Sequence, residues 1–147
     1  MINDKPIDIL LVEDNPADIR LTQEAFKETR IANHLHIARD GVEALAFLRQ
    51  TGQYTHVPRP DIILLDLNLP RKDGRELLDD IKNDPEYRQI PVVILTTSTT
   101  EEDIIHTYDH HANCYITKPS ELEQFLNVVK SIENFWLTVV KLPTCEI

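Results

Sequence analysis

Cysteine and glycine are scarce in this chain of 147 residues. The two cysteines, Cys114 and Cys145, lie far apart and form no CxxC pair, so we expect free thiols in a reducing compartment. Only three glycines stand against nine prolines, which predicts well-defined ends for helices and strands and few flexible linkers. Internal repeats and low-complexity segments are also missing from the sequence. These features predict a well-ordered cytoplasmic protein.

A surplus of basic residues is missing as well. Lysine and arginine number 15 against 25 acidic residues, which gives a formal net charge of −10. Binding to nucleic acid depends on clustered lysine and arginine, so we expect no nucleic-acid partner. The sequence has no apolar run long enough to cross a bilayer and no charged leader followed by a long apolar stretch, so we expect no membrane association. The length fits one domain over residues 1–147, with a core over about 6–130 and an extended last helix and tail over 131–147.

Short aliphatic runs alternate with amphipathic helical patterns along the chain. The runs predict five strands, over residues 7–12, 34–38, 62–65, 91–95 and 114–116. A helix is predicted after each strand: the first begins at Asn15-Pro16 and continues to about Ile31, and the fourth is capped by Thr99 or Thr100. This alternation predicts an α/β fold with a doubly wound, five-stranded parallel sheet and five helices.

Polar side chains follow four of the predicted strands where each strand ends: Glu13, Asp14, Asp66, Thr96 and Lys118. The carboxyl ends of parallel strands meet at one edge, where α/β folds place their ligands. Two carboxylates about 4 Å apart repel by roughly 4 kcal/mol at an effective dielectric constant of about 20. Three of them therefore require a cation, and Mg²⁺ suits a site with few carboxylates, some water and a substrate phosphate. The alternatives are a solvated strand end for Glu13 and Asp14, and a simple turn residue for Asp66.

These residues and their spacing give the chain a resemblance to a known family. Residues 6–129 resemble the receiver domains of two-component response regulators. The residues that carry the resemblance are Glu13-Asp14, Asp66, Thr96 and Lys118-Pro119. The resemblance implies a flavodoxin-like fold with strand order 2-1-3-4-5. It also implies a switch that phosphorylates and dephosphorylates itself rather than an enzyme that turns over a substrate.

The resemblance implies a role for each residue at the edge. Asp66 would be the phosphoacceptor, and Mg²⁺ would be held by Glu13, Asp14, Asp66 itself and the backbone carbonyl of Asn68. Phosphoryl transfer needs positioning and charge neutralisation more than covalent machinery, which agrees with this set of residues.

Three further roles follow from the same resemblance. Thr96 and Lys118 would each bind a phosphoryl oxygen, and Tyr115 would be an aromatic switch that responds to the movement of Thr96. The phosphoryl donor would be the histidine of a sensor histidine kinase. The signal would pass through a changed surface to an unknown downstream protein, or onward along a phosphorelay.

The loop over residues 51–60 is longer than most receivers need. With the length and the tail, it makes the chain similar to the small single-domain regulators that partner phytochrome-type histidine kinases. A passive insertion is the alternative explanation of this loop.

The last predicted helix carries two apolar stripes, although a helix on a sheet buries one face. We expect the second stripe to form a homodimer interface, and the interface residues would be Phe125, Val128, Phe135, Trp136 and Val139. The alternative is that residues 140–142 fold back over it.

Other functions fit the sequence less well. An aspartyl-phosphate hydrolase of the haloacid-dehalogenase type resembles this chain in its strand-end aspartate, but it has a second aspartate two residues later, where this chain has Asn68. A receiver that binds partners without phosphorylation is disfavoured by the complete acidic and Thr/Lys set. A metal site at His106, His110, His111 and Cys114 is also disfavoured, because helical histidines more often lie at the surface.

Overall fold

The computed structural model describes residues 6–28, 32–97, 104, 112, 114–118 and 121–132. The strands are β1 (Ile7–Val12), β2 (Asn33–Ala38), β3 (Ile62–Leu65), β4 (Val92–Thr96) and β5 (Cys114–Thr117). The helices among these residues are α1 (Pro16–Lys27), α2 (Gly41–Arg49), α3 (Gly74–Lys82) and α4 (Leu122–Ile132), with a short 3-10 turn at Gly52–Tyr54. Within this part of the chain, no helix combines the length and apolar character needed to cross a bilayer.

The five strands form one parallel sheet in the order β2-β1-β3-β4-β5. This order confirms the predicted doubly wound, flavodoxin-like fold. The predicted fourth helix, which would follow Thr99 or Thr100, falls almost entirely outside the described residues, and α4 corresponds to the predicted fifth helix. The end of β1 lies beside the end of β3, because Val12 pairs with Leu65. That register places the residues after these two strands next to each other.

Local sequence explains where the helices begin. The Asn15 side chain accepts hydrogen bonds from the backbone N–H groups of Ala17 and Asp18, and Pro16 occupies the first helical position. Asp40 and Asp73 cap α2 and α3 in the same way. All three helices therefore begin with a side-chain cap that the sequence itself supplies.

The first helix ends earlier than its pattern predicts. It was expected to reach about Ile31, but α1 ends at Lys27. The N–H of Glu28 bonds to the carbonyl of Ala25, and the side-chain amide of Asn33 donates to the carbonyl of Phe26 at 3.1 Å. A helix carbonyl satisfied from the following strand no longer needs another helical turn.

Among the described residues, two helices pack on each face of the sheet. Leu10 and Val12 belong to a core cluster that includes residues of α2 and α3, whereas Ile9 and Leu11 belong to a second cluster with residues of α1 and α4. This alternation of neighbouring residues is the two-residue period of a strand buried on both faces.

The packing of α4 corrects part of the predicted dimer interface. Phe125 is 1% exposed and packs in the core with Val129 and Ile132, so its assignment to an exposed stripe was wrong. Both stripes have helical spacing, and only contact with the sheet decides which one is buried. Val128 is half-buried against the same core cluster. Phe135, Trp136 and Val139 lie outside the described residues.

Candidate functional site

Three carboxylates meet at the carboxyl edge of the sheet, as predicted. Glu13 and Asp14 follow β1 and Asp66 follows β3, and one carboxylate oxygen from each lies within 4.8 Å of the others. The N–H of Asp66 donates to the carbonyl of Val12 at 3.0 Å, which extends the parallel pairing to the site itself. Glu13 and Asp66 are buried, whereas Asp14 is exposed. The site is therefore a partly buried acidic cluster that solvent reaches from the side of Asp14.

Both carboxylate oxygens of Asp66 accept hydrogen bonds. The Thr96 hydroxyl donates to Oδ1 at 2.7 Å, and the backbone N–H of Asn68 donates to the same oxygen at 3.2 Å. The Nζ of Lys118 donates to Oδ2 at 3.2 Å. Burying a carboxylate is costly unless such partners are present. Asp66 is thus an oriented carboxylate at a strand end, held on both oxygens.

Lys118 supplies one positive charge to the cluster. Its N–H bonds to the carbonyl of Thr96 at 2.7 Å, so β4 holds its backbone at the edge. Its Nζ contacts Glu13, Asp18 at 2.8 Å and Asp66 at 3.2 Å, and its side chain is only 5% exposed. Burial lowers the pKa of Lys118. The hydrogen bonds to Asp18 and Glu13 and the negative charge of Asp66 raise it by a larger amount, so the pKa lies well above its ordinary value. The ammonium group is therefore charged at all physiological pH values.

Glu13 experiences the excess of negative charge. Burial raises the pKa of Glu13 to about 7 and the negative charge of Asp66 acts in the same direction, although the hydrogen bond from Lys118 opposes both. The N–H of Asn15 also donates to its Oε2 at 3.2 Å. Glu13 is therefore only partly ionised near neutral pH, despite its contact with Lys118. A second positive charge fits here.

The donor set fits a hard divalent cation. Every side chain of the cluster offers carboxylate oxygen, the ligand atom that Mg²⁺ prefers, and solvent can supply the remaining ligands. Asn68, the fourth predicted ligand, lies two residues beyond Asp66 and directs its N–H to the Asp66 carboxylate. The predicted switch residue Tyr115 pairs with Ile94 of β4 and is half-buried against the core.

Asp18 is a site residue that the sequence did not reveal. An acidic residue in the first turn of a helix is ordinarily explained by its favourable interaction with the helix dipole, yet the Asp18 carboxylate also accepts a hydrogen bond from Lys118. A signal was available, because α1 begins directly after Glu13-Asp14 and its first turn therefore lies at the same edge of the sheet.

Gly74 is a second feature that the sequence did not reveal. A Cβ atom at this position would lie 2.2 Å from the Asp66 carbonyl oxygen and 2.7 Å from the Leu67 Cα atom. The N–H of Gly74 donates to the Leu67 carbonyl at 3.0 Å. The start of α3 therefore lies directly against the backbone of the residue that follows β3, and only glycine permits this approach.

Comparisons with known proteins agree with this site. Residues 9–130 match the family model of the response regulator receiver domain. The chain is 55% identical over 135 residues to the response regulator Rcp1 of Synechocystis sp. (strain ATCC 27184 / PCC 6803 / Kazusa), and the alignment covers 92% of each protein.

Solved structures show the same similarity. The Mn²⁺-bound form of Rcp1 superimposes with a TM-score of 0.90 at 54% identity, covering 95% of this chain and 100% of the other. The phosphorylated cyanobacterial phytochrome response regulator RcpA gives a TM-score of 0.92 at 55% identity with the same coverage.

Proposed function

Because this chain belongs to the response regulator receiver domain family, we propose that it is a switch controlled by phosphorylation of Asp66. The phosphoryl donor is the histidine of a sensor kinase, and similarity to Rcp1 and to the phytochrome regulator RcpA supports a kinase of the phytochrome type. The proposal places the chain in the cytoplasm, the reducing compartment that its two widely spaced cysteines favour.

The observation that carries this proposal is the arrangement around Asp66. Its carboxylate is fixed by Thr96 and Asn68 on Oδ1 and by Lys118 on Oδ2. An oriented, ionised carboxylate can act as a nucleophile toward phosphorus. The bond between phosphorus and the kinase imidazole nitrogen breaks, a bond between phosphorus and an Asp66 oxygen forms, and the imidazole keeps the electron pair of the broken bond.

The acidic cluster provides the metal ligands of the proposal. Glu13, Asp14, Asp66 and the backbone carbonyl of Asn68 would hold Mg²⁺, which supplies the positive charge that the incoming phosphoryl oxygens require. The cluster of carboxylate oxygens within 4.8 Å of one another supports this assignment, as does the Mn²⁺-bound form of the relative Rcp1.

Lys118 and Thr96 complete the site. In the structure, the Lys118 ammonium group pairs with three carboxylates. When a bound metal ion neutralises these carboxylates, the ammonium group can instead bind a phosphoryl oxygen. The Thr96 hydroxyl, which now donates to Asp66, turns to donate to a second phosphoryl oxygen. Both changes move groups that are bonded to Asp66 before phosphorylation.

The output is a changed protein-binding surface. Movement of Thr96 alters the end of β4, and we infer that Tyr115 on the adjacent strand responds by changing its packing. The recognised partner is a downstream protein, and the alternative output is transfer of the phosphoryl group onward along a phosphorelay. The two outputs differ in whether Asp66 loses its label when a downstream histidine-containing protein is added.

A homodimer through the last helix is a further part of the proposal. Val128 is the described residue that supports it, because this apolar side chain is only half-buried by the chain's own core. Phe135, Trp136 and Val139 would extend the same surface. Sedimentation equilibrium at micromolar concentration, with and without phosphorylation, tests this, and a monomer in both states contradicts it.

Acetyl phosphate labelling tests the phosphoacceptor directly. We expect one phosphoryl group per chain in the presence of Mg²⁺, and none in Asp66→Asn or after chelation of the metal. Asp80→Asn is the matched control. Asp80 lies on α3 and is not part of the acidic cluster, and its carboxylate pairs with the Lys72 ammonium group at a distance of 2.6 Å. Equal labelling of Asp66→Asn and the unmodified chain would refute the assignment.

A further inference from the structure

A second group of possible metal ligands lies away from the carboxyl edge. It consists of Asp8 on β1 with His34 and His36 on β2, and one ligand atom from each lies within 4.8 Å of the others. None of the roles assigned to the acidic cluster involves these three residues.

Strand geometry explains why the three side chains converge. His34 and His36 are two residues apart on β2, so both project from the same face of the sheet. Asp8 pairs in register with His34 on the neighbouring strand, and Leu10 pairs with His36. The carboxylate therefore lies between two imidazoles on the face that α2 covers, and β2 is an edge strand that solvent can reach.

The three ligand atoms lie close to the spacing that a coordinated ion needs. Asp8 Oδ1 lies 3.0 Å from His36 Nε2, a hydrogen bond that an ion would replace, and 3.5 Å from His34 Nδ1. A tetrahedral ion with bonds of about 2.1 Å to nitrogen and oxygen separates its ligand atoms by about 3.4 Å. A metal ion could therefore bind between this oxygen and the two ring nitrogens after small movements of the side chains.

The surroundings hold two of the three ligands in place. The Asp8 backbone is fixed by Asp61, whose N–H donates to the Asp8 carbonyl at 2.7 Å and whose carboxylate accepts from the Asp8 N–H at 2.9 Å. The His36 ring packs on Phe47 with centroids 5.3 Å apart. His34 is 64% exposed, so a metal ion in solution can reach its ring. The site thus combines two preset ligands with one accessible ligand.

The charge balance at Asp8 also calls for a cation. Its side chain is only 12% exposed, and within the described part of the chain its ion-pair partners are the two histidines, which are charged only when protonated. The Asp61 carboxylate adds further negative charge nearby. A divalent ion would neutralise the buried carboxylate without protonation of either imidazole.

We propose that Asp8, His34 and His36 form a second metal site, which binds a borderline-soft divalent ion of the Zn²⁺ class and leaves further coordination positions to water. Two imidazoles and one carboxylate select such ions over Mg²⁺, which prefers oxygen ligands. Asp8 and Glu13 are five residues apart on an extended strand, or about 17 Å, so the two sites bind their ions independently. The bound ion joins the edge strand β2 to β1.

Zn²⁺ titration of the full chain, by calorimetry in saturating Mg²⁺, tests the proposal. We expect one equivalent of Zn²⁺ to bind, at least tenfold weaker binding in His34→Gln and in Asp8→Asn, and a higher melting temperature with Zn²⁺ only when the site is intact. Because His34 is exposed, its replacement leaves the core unchanged, and circular dichroism verifies the fold of each variant.

Two controls make the result specific. His56→Gln removes an exposed histidine elsewhere and must bind Zn²⁺ like the unmodified chain. A variant with His106→Gln and His110→Gln must also retain binding. Absence of a saturable equivalent, unchanged affinity in His34→Gln, or loss of binding in the His106/His110 variant overturns the proposal. Phosphorylation of Asp66 is not needed for any of these measurements, so the outcome does not depend on the proposed function.

Discussion

Lys118 determines the charge balance of the site at the level of single residues. Its ammonium group bonds to Glu13, Asp18 and Asp66, and within the described residues no other cation contacts Glu13 or Asp66. Removal of one partner from a buried ion pair typically costs about 3–5 kcal/mol, because a charge is left uncompensated. The same lysine is proposed to bind the phosphoryl group. It would therefore pair with the carboxylates before phosphorylation and with the phosphoryl group afterwards.

Replacement of Lys118 by methionine should therefore destabilise the metal-free protein by about 3 kcal/mol at pH 8. Mg²⁺ should recover a large part of this loss, because it neutralises the acids that the lysine no longer contacts. Urea unfolding with and without Mg²⁺ measures both effects. Lys27→Met is the control, since within the described part of the chain Lys27 pairs with the exposed Glu24, at 3.4 Å, and with no other acid. An equal loss in both conditions would contradict the proposed competition between lysine and metal.

Glu13 gives the site a dependence on pH. Its pKa of about 7 lies above its ordinary value of 4.5, so the folded, metal-free protein holds a proton there that the unfolded chain releases between those pH values. The contribution of Glu13 to stability therefore falls as pH rises through this interval. Mg²⁺ must displace the same proton below pH 7.

We accordingly expect the affinity for Mg²⁺ to be about tenfold lower at pH 6 than at pH 8, as one displaced proton with a pKa of about 7 requires. Calorimetric titration in buffers of different ionisation enthalpy also counts the released proton. Glu13→Gln cannot release this proton, so its weaker binding should lose most of this pH dependence. A pH-independent affinity in the unmodified chain would show that Glu13 is ionised before the metal binds.

Residues adjacent to strand ends could be predicted from sequence, because a parallel sheet forces them to one edge. Glu13, Asp14 and Asp66 meet for this reason alone. Asp18 could not be assigned so easily, because its role depends on how α1 is oriented relative to a lysine 100 residues later in the chain.

The helices and strands follow their sequence signals closely at their beginnings and less closely at their ends. The first helix was predicted to begin at Asn15-Pro16, and the Asn15 side chain accepts the expected backbone hydrogen bonds. The end of α1 depends on the contact between Asn33 and Phe26, which joins residues of different elements and leaves no local signal. Phe125 illustrates the same limit, because packing on the sheet decides which apolar stripe of α4 is buried.

The start of α3 is the element that fixes the loop after β3. Gly74→Ala should destabilise the protein by about 1–3 kcal/mol, the usual cost of overpacking, because the added methyl group meets the Asp66 carbonyl oxygen and Leu67. It should also slow labelling by acetyl phosphate, since relief of the clash moves the backbone of the phosphoacceptor.

Urea unfolding and labelling rates measure these two effects. Gly52→Asn is the control, because a Cβ there meets no atom within 4 Å and asparagine tolerates its positive φ of 61°. If Gly74→Ala were as stable and as quickly labelled as the control, the close packing of Gly74 against Asp66 and Leu67 would not matter for stability or for labelling.

At the scale of the whole molecule, the described residues combine a sheet packed on both faces with an acidic cluster at its carboxyl edge. The two core clusters hold the sheet on both faces, and the site is built from the ends of β1, β3, β4 and β5. Under the proposed function, a phosphoryl group added at this edge would change bonds that join three of those strands. The fold would then convert a local change of charge into a change at the protein surface.

Transfer from a histidine kinase tests the central claim most directly. A purified phytochrome-type kinase, autophosphorylated with labelled phosphate, is mixed with the chain in Mg²⁺, and the label is located by peptide mapping. We predict that the kinase loses its label within minutes, that the chain gains one phosphoryl group on Asp66, and that chelation of Mg²⁺ prevents the transfer. Label that stays on the kinase, or that reaches Asp66→Asn as well as the unmodified chain, would contradict the account.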